Sequence, residues 1–590
     1  MAPDRMDTSV QRRAATPDPD EPERLVGGTG GCLFPWTHSD SPPLTAIARG
    51  SSRRAIRNTD LFEPERTTAM SKHPSLPSRI ALISTFIVTA VLLAACGGGS
   101  TASPESQTQP PGTQPPAETV LRAGVEPISQ TDPALISSDS EILIANQVYD
   151  YLVDITPDNQ IAPRLATDWK ASDDGLTYTF TLADGVSFHD GSPFGAQDVV
   201  WTFNRLRDPS SGYATVDLYK NIASIEATGD LEVTFHLTKT NPYFLYDLSD
   251  NHALILKSGT ENANQSFNGT GPFKVTDFSL EDRINLVANP DYFMDGVPKV
   301  DRLLIIFFSD EAASADALRG GQLDFIMGFS TPLFENLDQD PNVNAIQVTT
   351  NAFAVIRLRS DQPPGNDPRV IKALKLATDR ESLFQLVQGG YGSVGKDSPI
   401  GPAFPDYYAK DLTVPARDPA AASDLLKQAG YPDGLKMDLY VPNVSNHPDL
   451  AVAVKDQWAE AGIDINVITE PESVYYGEGK WLEVNLGITG WGHRPYPQFY
   501  IDVMLTCGAK WNESRFCDKE FDQLALTAGT SLDKATRVDA YHQMQQILIE
   551  RGPIIVPYFF SQFGATSERV SGLDLKPFPG RTALWPVSVQ

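Results

Sequence analysis

Residues 80–95, Ile-Ala-Leu-Ile-Ser-Thr-Phe-Ile-Val-Thr-Ala-Val-Leu-Leu-Ala-Ala, form an apolar run without a single charge, and Lys72 and Arg79 stand just before it. The run is short for a bilayer-crossing helix, which needs about 20 apolar residues. A basic flank, an apolar run and a small-residue end are instead the parts of a secretory signal. The rest of the chain is therefore expected to fold outside the cytoplasm. Met70 begins a compact signal by itself, whereas residues 1–69 are rich in Pro, Arg and Asp and show no sustained period. Translation is expected to start at Met70, with 1–69 a disordered upstream extension and 70–95 the signal. Charge before Cys96 is nearly balanced, so the formal net charge of −28 belongs to the part that follows. That acidity excludes a phosphate-backbone partner, because no basic excess is present to neutralise one. A length of 590 residues with 41% hydrophobic content calls for more than one core. Four scattered cysteines exclude a disulfide-rich scaffold and argue against an iron–sulfur or zinc-ribbon protein.

The run ends Leu93-Ala94-Ala95-Cys96, which resembles the lipobox of bacterial lipoproteins. The resemblance implies cleavage before Cys96 and lipidation of that cysteine. Several acyl chains would exceed the two-signal threshold for stable anchoring. Residues 96–118, rich in Gly, Ser, Gln and Pro, cannot bury a core and read as a tether. The expected location is the cell membrane, with the body facing the periplasm or cell exterior.

From residue 119 strands and helices alternate. Leu176, Tyr178, Phe180 and Leu182 interleave with threonines and predict a half-buried strand entered at Asp173-Asp174-Gly175. Leu231, Val233, Phe235 and Leu237 repeat the pattern, and Leu303–Phe308 reads as a strand buried on both faces. Asp367-Pro368 and Asp418-Pro419 place a capping side chain before a proline at the first helical position. A further helix starts near Lys534 and stops at Gly552-Pro553. These elements predict an α/β protein with two or three lobes.

Residues 161–209, from Ile-Ala-Pro-Arg-Leu through Phe188-His189-Asp190-Gly191-Ser192 to Arg207-Asp208-Pro209, resemble the signature region of the family 5 extracellular solute-binding proteins. These are receptors of oligopeptide, dipeptide and nickel ABC importers. Gly269-Thr270-Gly271-Pro272-Phe273, Asn289-Pro290-Asp291-Tyr292-Phe293, Leu318–Asp324, Asp367–Leu374 and Pro553–Pro557 continue the resemblance in order. It implies a two-lobed periplasmic-binding-protein fold (type II, cluster C-like) with an extra subdomain in the first lobe. Lobe I would hold 119–351 and 557–590, the extra subdomain 149–268, and lobe II 352–556. It further implies a monomeric, non-enzymatic receptor that closes on peptides or peptide-like solutes. Its partners would be permease subunits with cytoplasmic ATPases, with no cofactor, metal or nucleic acid. The residues of the signature themselves read as structural: Asp190 stabilises a turn, Gly191 supplies its backbone, and His189 is half-buried rather than part of an acid–base pair.

Cys507 and Cys517 remain once Cys32 and Cys96 are assigned, and a pair so spaced is expected to oxidise outside the cytoplasm. Dipeptide-binding relatives carry a similar pair. A metal site would need further ligands close in sequence. The cleft-lining segment by resemblance is Gly490-Trp491-Gly492-His493-Arg494-Pro495-Tyr496-Pro497. Peptide-binding members usually have an Asp here, paired with the ligand's ammonium. His493-Arg494 replaces it, and a cation there repels an ammonium but suits a carboxylate, phosphate or hydroxyl cluster. Trp491 and Tyr496 could stack on a ligand, with core packing as the alternative for Trp491. Asn446 lies in a loop where dipeptide binders have an Arg. Asn351, Phe353, Phe329 and Tyr475 complete the candidate wall. Opine-like or oligosaccharide ligands, a cell-surface hydrolase and a metal-chelate receptor are the competing readings. No Gly-x-Ser-x-Gly or His-Glu-x-x-His motif supports the hydrolase, and the histidines do not cluster.

Overall fold

A computed structural model describes residues 118–590; the upstream extension, signal, Cys96 and almost the whole tether lie outside the described residues. One large mixed sheet organises the body. Ten of its twelve strands lie on one continuous path: β1 (Val120–Val125), β2 (Phe273–Ser279), β3 (Arg283–Ala288), β4 (Arg302–Phe307), β5 (Phe325–Met327), β6 (Val343–Leu358), β7 (Leu435–Pro442), β8 (Ile463–Glu470), β9 (Leu486–Trp491) and β10 (Tyr558–Ser567). In space they run β8-β7-β9-β6-β10-β5-β1-β4-β3-β2. β6 changes partner along its length. Val343–Thr349 pairs antiparallel with β10, and Phe353–Leu358 pairs antiparallel with β9. The register breaks between Thr349 and Phe353. The sheet thus has two halves joined through β6 and β10.

Each half builds its own core. Leu121, Leu303 and Phe325 pack with helix α1 (Asp139–Val148) in the first. Ile356, Leu439 and Ile488 pack with helix α2 (Pro368–Ala377) in the second. A further cluster around Phe353, Trp491, Tyr500 and Tyr541 takes in Tyr243 from the first half. Most of these side chains are fully buried, each contributing about 1.5–3 kcal/mol.

A separate four-stranded antiparallel sheet runs Ala166–Ala171, Thr177–Leu182, Glu232–Leu237, Ile222–Gly229. Tyr178, Phe180 and Leu182 are buried, as their alternation predicts. Gly175 and Gly191 adopt φ of +65° and +82°, which side-chain-bearing residues rarely take. Asp190 Oδ1 accepts Ser192 N at 2.9 Å and Ser192 Oγ at 2.6 Å. The His189 ring lies against the carbonyls of Phe267 and Gly271, so the signature turn is structural as read.

The predicted caps form: Asp367 accepts Arg369 N at 2.9 Å, and Asp418 accepts Ala421 N at 2.9 Å ahead of helix α3 (Pro419–Gln428). Each such bond contributes about 1 kcal/mol. The helix expected from Lys534 is α4 (Lys534–Arg551), closed at Gly552. One strand departs from expectation. β4 buries Leu303 and Ile305, but Leu304 and Ile306 on the other face are only partly covered, Ile306 against a smaller cluster with Ala315 and Leu318 rather than a second full core; Phe307 lies partly covered against the first core.

Candidate functional site

The site lies where β6 and β9 leave the shared sheet. Because β6 breaks register after Thr349, the Asn351 backbone N–H has no strand partner and donates instead to His493 Nδ1 at 3.0 Å. That fixes the tautomer: His493 carries its proton on Nε2 and donates to Asn159 Oδ1, at 3.3 Å, in the first half. Burial, with Arg494 beside it, pushes the His493 imidazole down to about 3, so it is neutral. With both nitrogens occupied it cannot act as a base or metal ligand in this arrangement. Tyr500 caps the same corner, its hydroxyl donating to Gly492 O at 2.7 Å.

A second bridge crosses the junction alongside. Tyr496 donates its hydroxyl to Asp247 Oδ1 at 2.6 Å and stacks on Tyr243, centroids 4.9 Å apart and planes within 10°. Tyr243 in turn meets Tyr541, O···O 2.7 Å. Asp247 also accepts from Asn241 Nδ2 at 2.6 Å. Burial raises the Asp247 carboxyl to about 7, although both bonds work in the other direction.

Arg494 is partly exposed. Its Nη1 donates to His493 O at 2.8 Å, and its guanidinium sits 4.7 Å over Phe499. Asp250 and His252 approach from the first half, joined by Nδ1–Oδ1 at 2.6 Å. Burial acts against the Asp250 charge, but His252, and Arg494 across the junction, hold its carboxyl below the usual value. Burial likewise opposes the His252 charge, and Asp250 more than compensates, raising it.

β9 is held in place from behind. Glu513 accepts Trp491 Nε1 at 3.0 Å, Thr489 Oγ1 at 2.5 Å and Arg357 Nε at 2.9 Å. Arg357 and Glu513 are 0% and 1% exposed. Glu513 sits in the loop between Cys507 and Cys517, whose sulfurs stand 2.06 Å apart.

The structure gathers six of the nine candidate wall residues at the junction: Asn351, Phe353, Trp491, His493, Arg494 and Tyr496. Among them Phe353 and Trp491 are buried, stacked at 9° with centroids 6.5 Å apart, so they shape the wall from beneath. The other three lie elsewhere. Phe329 packs on Phe563 inside the first half. Tyr475 is fully buried under β9, its hydroxyl donating to Ile488 O at 2.9 Å. Asn446 donates to Val387 O at 3.4 Å at the start of the helix His447–Ala459. Sequence reasoning missed the opposite wall, Asn159, Tyr243, Asp247, Asp250 and His252. Its one signal was the concentration of tyrosine, aspartate and histidine across Tyr243–His252, a segment without sustained strand or helix period.

Comparison with known proteins agrees with this architecture. The family model "Bacterial extracellular solute-binding proteins, family 5 Middle" matches residues 160–512. Heme-binding protein A of Haemophilus influenzae is 29% identical over 541 residues, covering 86% of this chain and 98% of its own. A probable di/tripeptide-binding protein 5 of Pseudomonas aeruginosa is 30% identical over 470 residues, covering 73% and 87%. The solved structure of HbpA2 from Haemophilus parasuis superposes with a TM-score of 0.72 at 26% identity, covering 80% of this chain and 100% of that one.

Proposed function

The chain belongs to family 5 of the bacterial extracellular solute-binding proteins, the receptors of ABC importers, and from that premise we propose that it captures peptides or peptide-like small solutes between its two halves and delivers them to a permease. The junction carries this reading. His493–Asn159 and Tyr496–Asp247 are contacts that exist only when the halves are together. A ligand that adds contacts to both walls shifts the population toward closure. We place the lobes at 119–351 with 557–590 and at 352–556, the extra subdomain at 149–268, and the hinge where β6 and β10 cross.

Among the named relatives, one binds haem and another di- and tripeptides. A haem would call for an axial ligand, and the junction histidines are already engaged, His493 at both nitrogens by Asn351 and Asn159, and His252 by Asp250 and the Ile136 backbone. The arrangement therefore favours an amino-acid-derived solute. The second reading, an opine-like or oligosaccharide ligand, draws on Arg494, which brings a cation where peptide binders usually carry an acid. The reading includes no catalysis: binding is the whole activity. Screening the protein by thermal shift against dipeptides, opines and oligosaccharides is expected to raise Tm for one class without product formation. Saturation at a hundred times Kd corresponds to about 2.7 kcal/mol. Turnover of the stabilising compound would reject the receptor reading in favour of a hydrolase.

The export and anchoring part of the proposal rests on the signal at 70–95 and on Cys96, with a disulfide between Cys507 and Cys517 formed on the far side of the membrane. The protein works as a monomer. Fatty-acid labelling of cells is expected to mark the protein and to be lost in Cys96→Ser; label retained in that variant would remove the anchor.

A further inference from the structure

Tyr243 turns away from its own half. Its neighbours Phe244 and Leu248 pack in the first core, Phe244 with its ring centroid 4.9 Å from that of Tyr178 and 5.5 Å from that of Phe235. Tyr243 is 2% exposed and is the one buried residue of 118–351 in the cluster around Trp491, Tyr500 and Tyr541. The groups that receive it come from the second half. Tyr496 stacks on its ring, the Arg537 guanidinium stands 5.8 Å from its centroid, and Tyr541 lies edge-on to Tyr407 at 5.0 Å.

The polar side of this socket is set without Tyr243. Gln498 donates Nε2 to Asp502 Oδ1 at 2.7 Å and to Ala525 O at 3.1 Å, so its Oε1 is the acceptor. Tyr541 gives its only proton to that Oε1 at 2.7 Å. The Tyr541 oxygen is left as an acceptor, and the Tyr243 hydroxyl, 2.7 Å away, is its donor. Separating the halves would open the Tyr243 ring to water and take this donor away. We infer that Tyr243 is a plug and Tyr541–Gln498 its socket, a latch within the protein that keeps the closed arrangement the majority state before any solute binds. Tyr243 is a positioning residue for capture, because it acts through the standing of the two walls and not on the solute. Apparent affinity scales with the fraction of molecules already competent to bind. Loss of the latch therefore weakens all solutes by one common factor, whereas loss of a residue that touches the solute changes their ranking.

This inference rests on the receptor reading above and adds to it a closure that does not wait for the ligand. The test is hydroxyl-radical footprinting of the full-length protein with no solute added, read by mass spectrometry at single side chains, with small-angle scattering in parallel. His493 is the reporter: it is 5% exposed, and its bridge runs to Asn159 rather than to Tyr243. Tyr219, 1% exposed in the first core, is the control. In Tyr243→Ala the oxidation rate of His493 is expected to rise about tenfold and the radius of gyration to increase, with Tyr219 unchanged. Tyr243→Phe keeps the ring but cannot donate, and should raise His493 labelling about fivefold, the scale of one neutral hydrogen bond. Tyr541→Phe should match it, and the double variant should go no further than either single, because both remove the same bond. If Tyr243→Ala also exposes Tyr219, Tyr243→Phe decides. A wild-type His493 rate in the deciding variant would overturn the latch and leave the receptor reading standing, since a solute can still drive closure by itself. Turnover of a stabilising compound would overturn the receptor reading while the footprint stands.

Discussion

Glu513→Ala is expected to lose about 3–5 kcal/mol of folding stability, the cost of leaving one member of a buried ion pair alone. Glu513 is 1% exposed and serves three donors at once: Arg357, Thr489 and Trp491. Without it the fully buried Arg357 guanidinium keeps only the carbonyls of Val484 and Trp481. Relaxation cannot bring water in easily, because Gly487 packs directly over the guanidinium; a Cβ there would lie 2.8 Å from Nη2. The measurement is the urea midpoint at constant m-value. Glu513→Gln, which retains an acceptor but drops the charge, should fall between wild type and alanine. Reducing the Cys507–Cys517 pair acts mainly on the unfolded chain and should cost less, about 2–3 kcal/mol. A midpoint for Glu513→Ala within error of wild type would show that β9 is held by something else.

Asp247 is expected to make stability fall as pH rises from about 4 to 7. Its carboxyl is raised by burial to about 7, so across that window the folded state holds a proton that the unfolded chain, near the ordinary Asp value of 3.8, has released. Unfolding therefore gives up a proton, and each step up in pH favours it. Stabilisation from the protonated group is complete below pH 4, is lost through the window and is flat above it. The groups around it are Tyr496 and Asn241, which bond to it, and Asp250 and Asp502, whose charges push it up. Asp247→Asn cannot titrate. Relative to wild type, this variant should gain on the order of 2–4 kcal/mol between pH 4 and pH 7.5, on top of a pH-independent offset. Parallel stability curves for the two proteins would show that Asp247 keeps its charge on folding.

Local structure was legible because local chemistry dictates it. Threonine alternation marked Thr177–Leu182, and an Asp-Pro pair marked the start of helices α2 and α3. Several ordered motifs identified the two-lobed fold. One wall of the candidate site was readable for a different reason: the resemblance implies an acid in peptide-binding members where His493-Arg494 stands. The other wall was not. Asn159 meets His493 across 334 positions, and Tyr496 reaches Asp247 across 249. Residues in such contacts follow no period, since their partners are set by how the two halves of the sheet meet and not by their own strand or helix. Aromatic residues misled in the same way. Phe329 and Tyr475 have the composition of a ligand wall, but the position of β9 and β10 turns both inward.

The place of β10 in the sheet has a consequence for how an exported chain of this kind acquires its shape. β5 and the first part of β6 both pair with β10, which begins only at Tyr558. A chain threaded through a translocon N-terminus first therefore emerges with the inner edge of its first half unpaired. The second core, by contrast, lies almost wholly between Ala354 and Ile555 and arrives as one continuous stretch. The lobe that starts first is finished last, and until Tyr558–Ser567 emerges β5 and the first part of β6 present open strand edges. Truncation just before that strand would strand the whole first half, although almost all of its residues would already be outside.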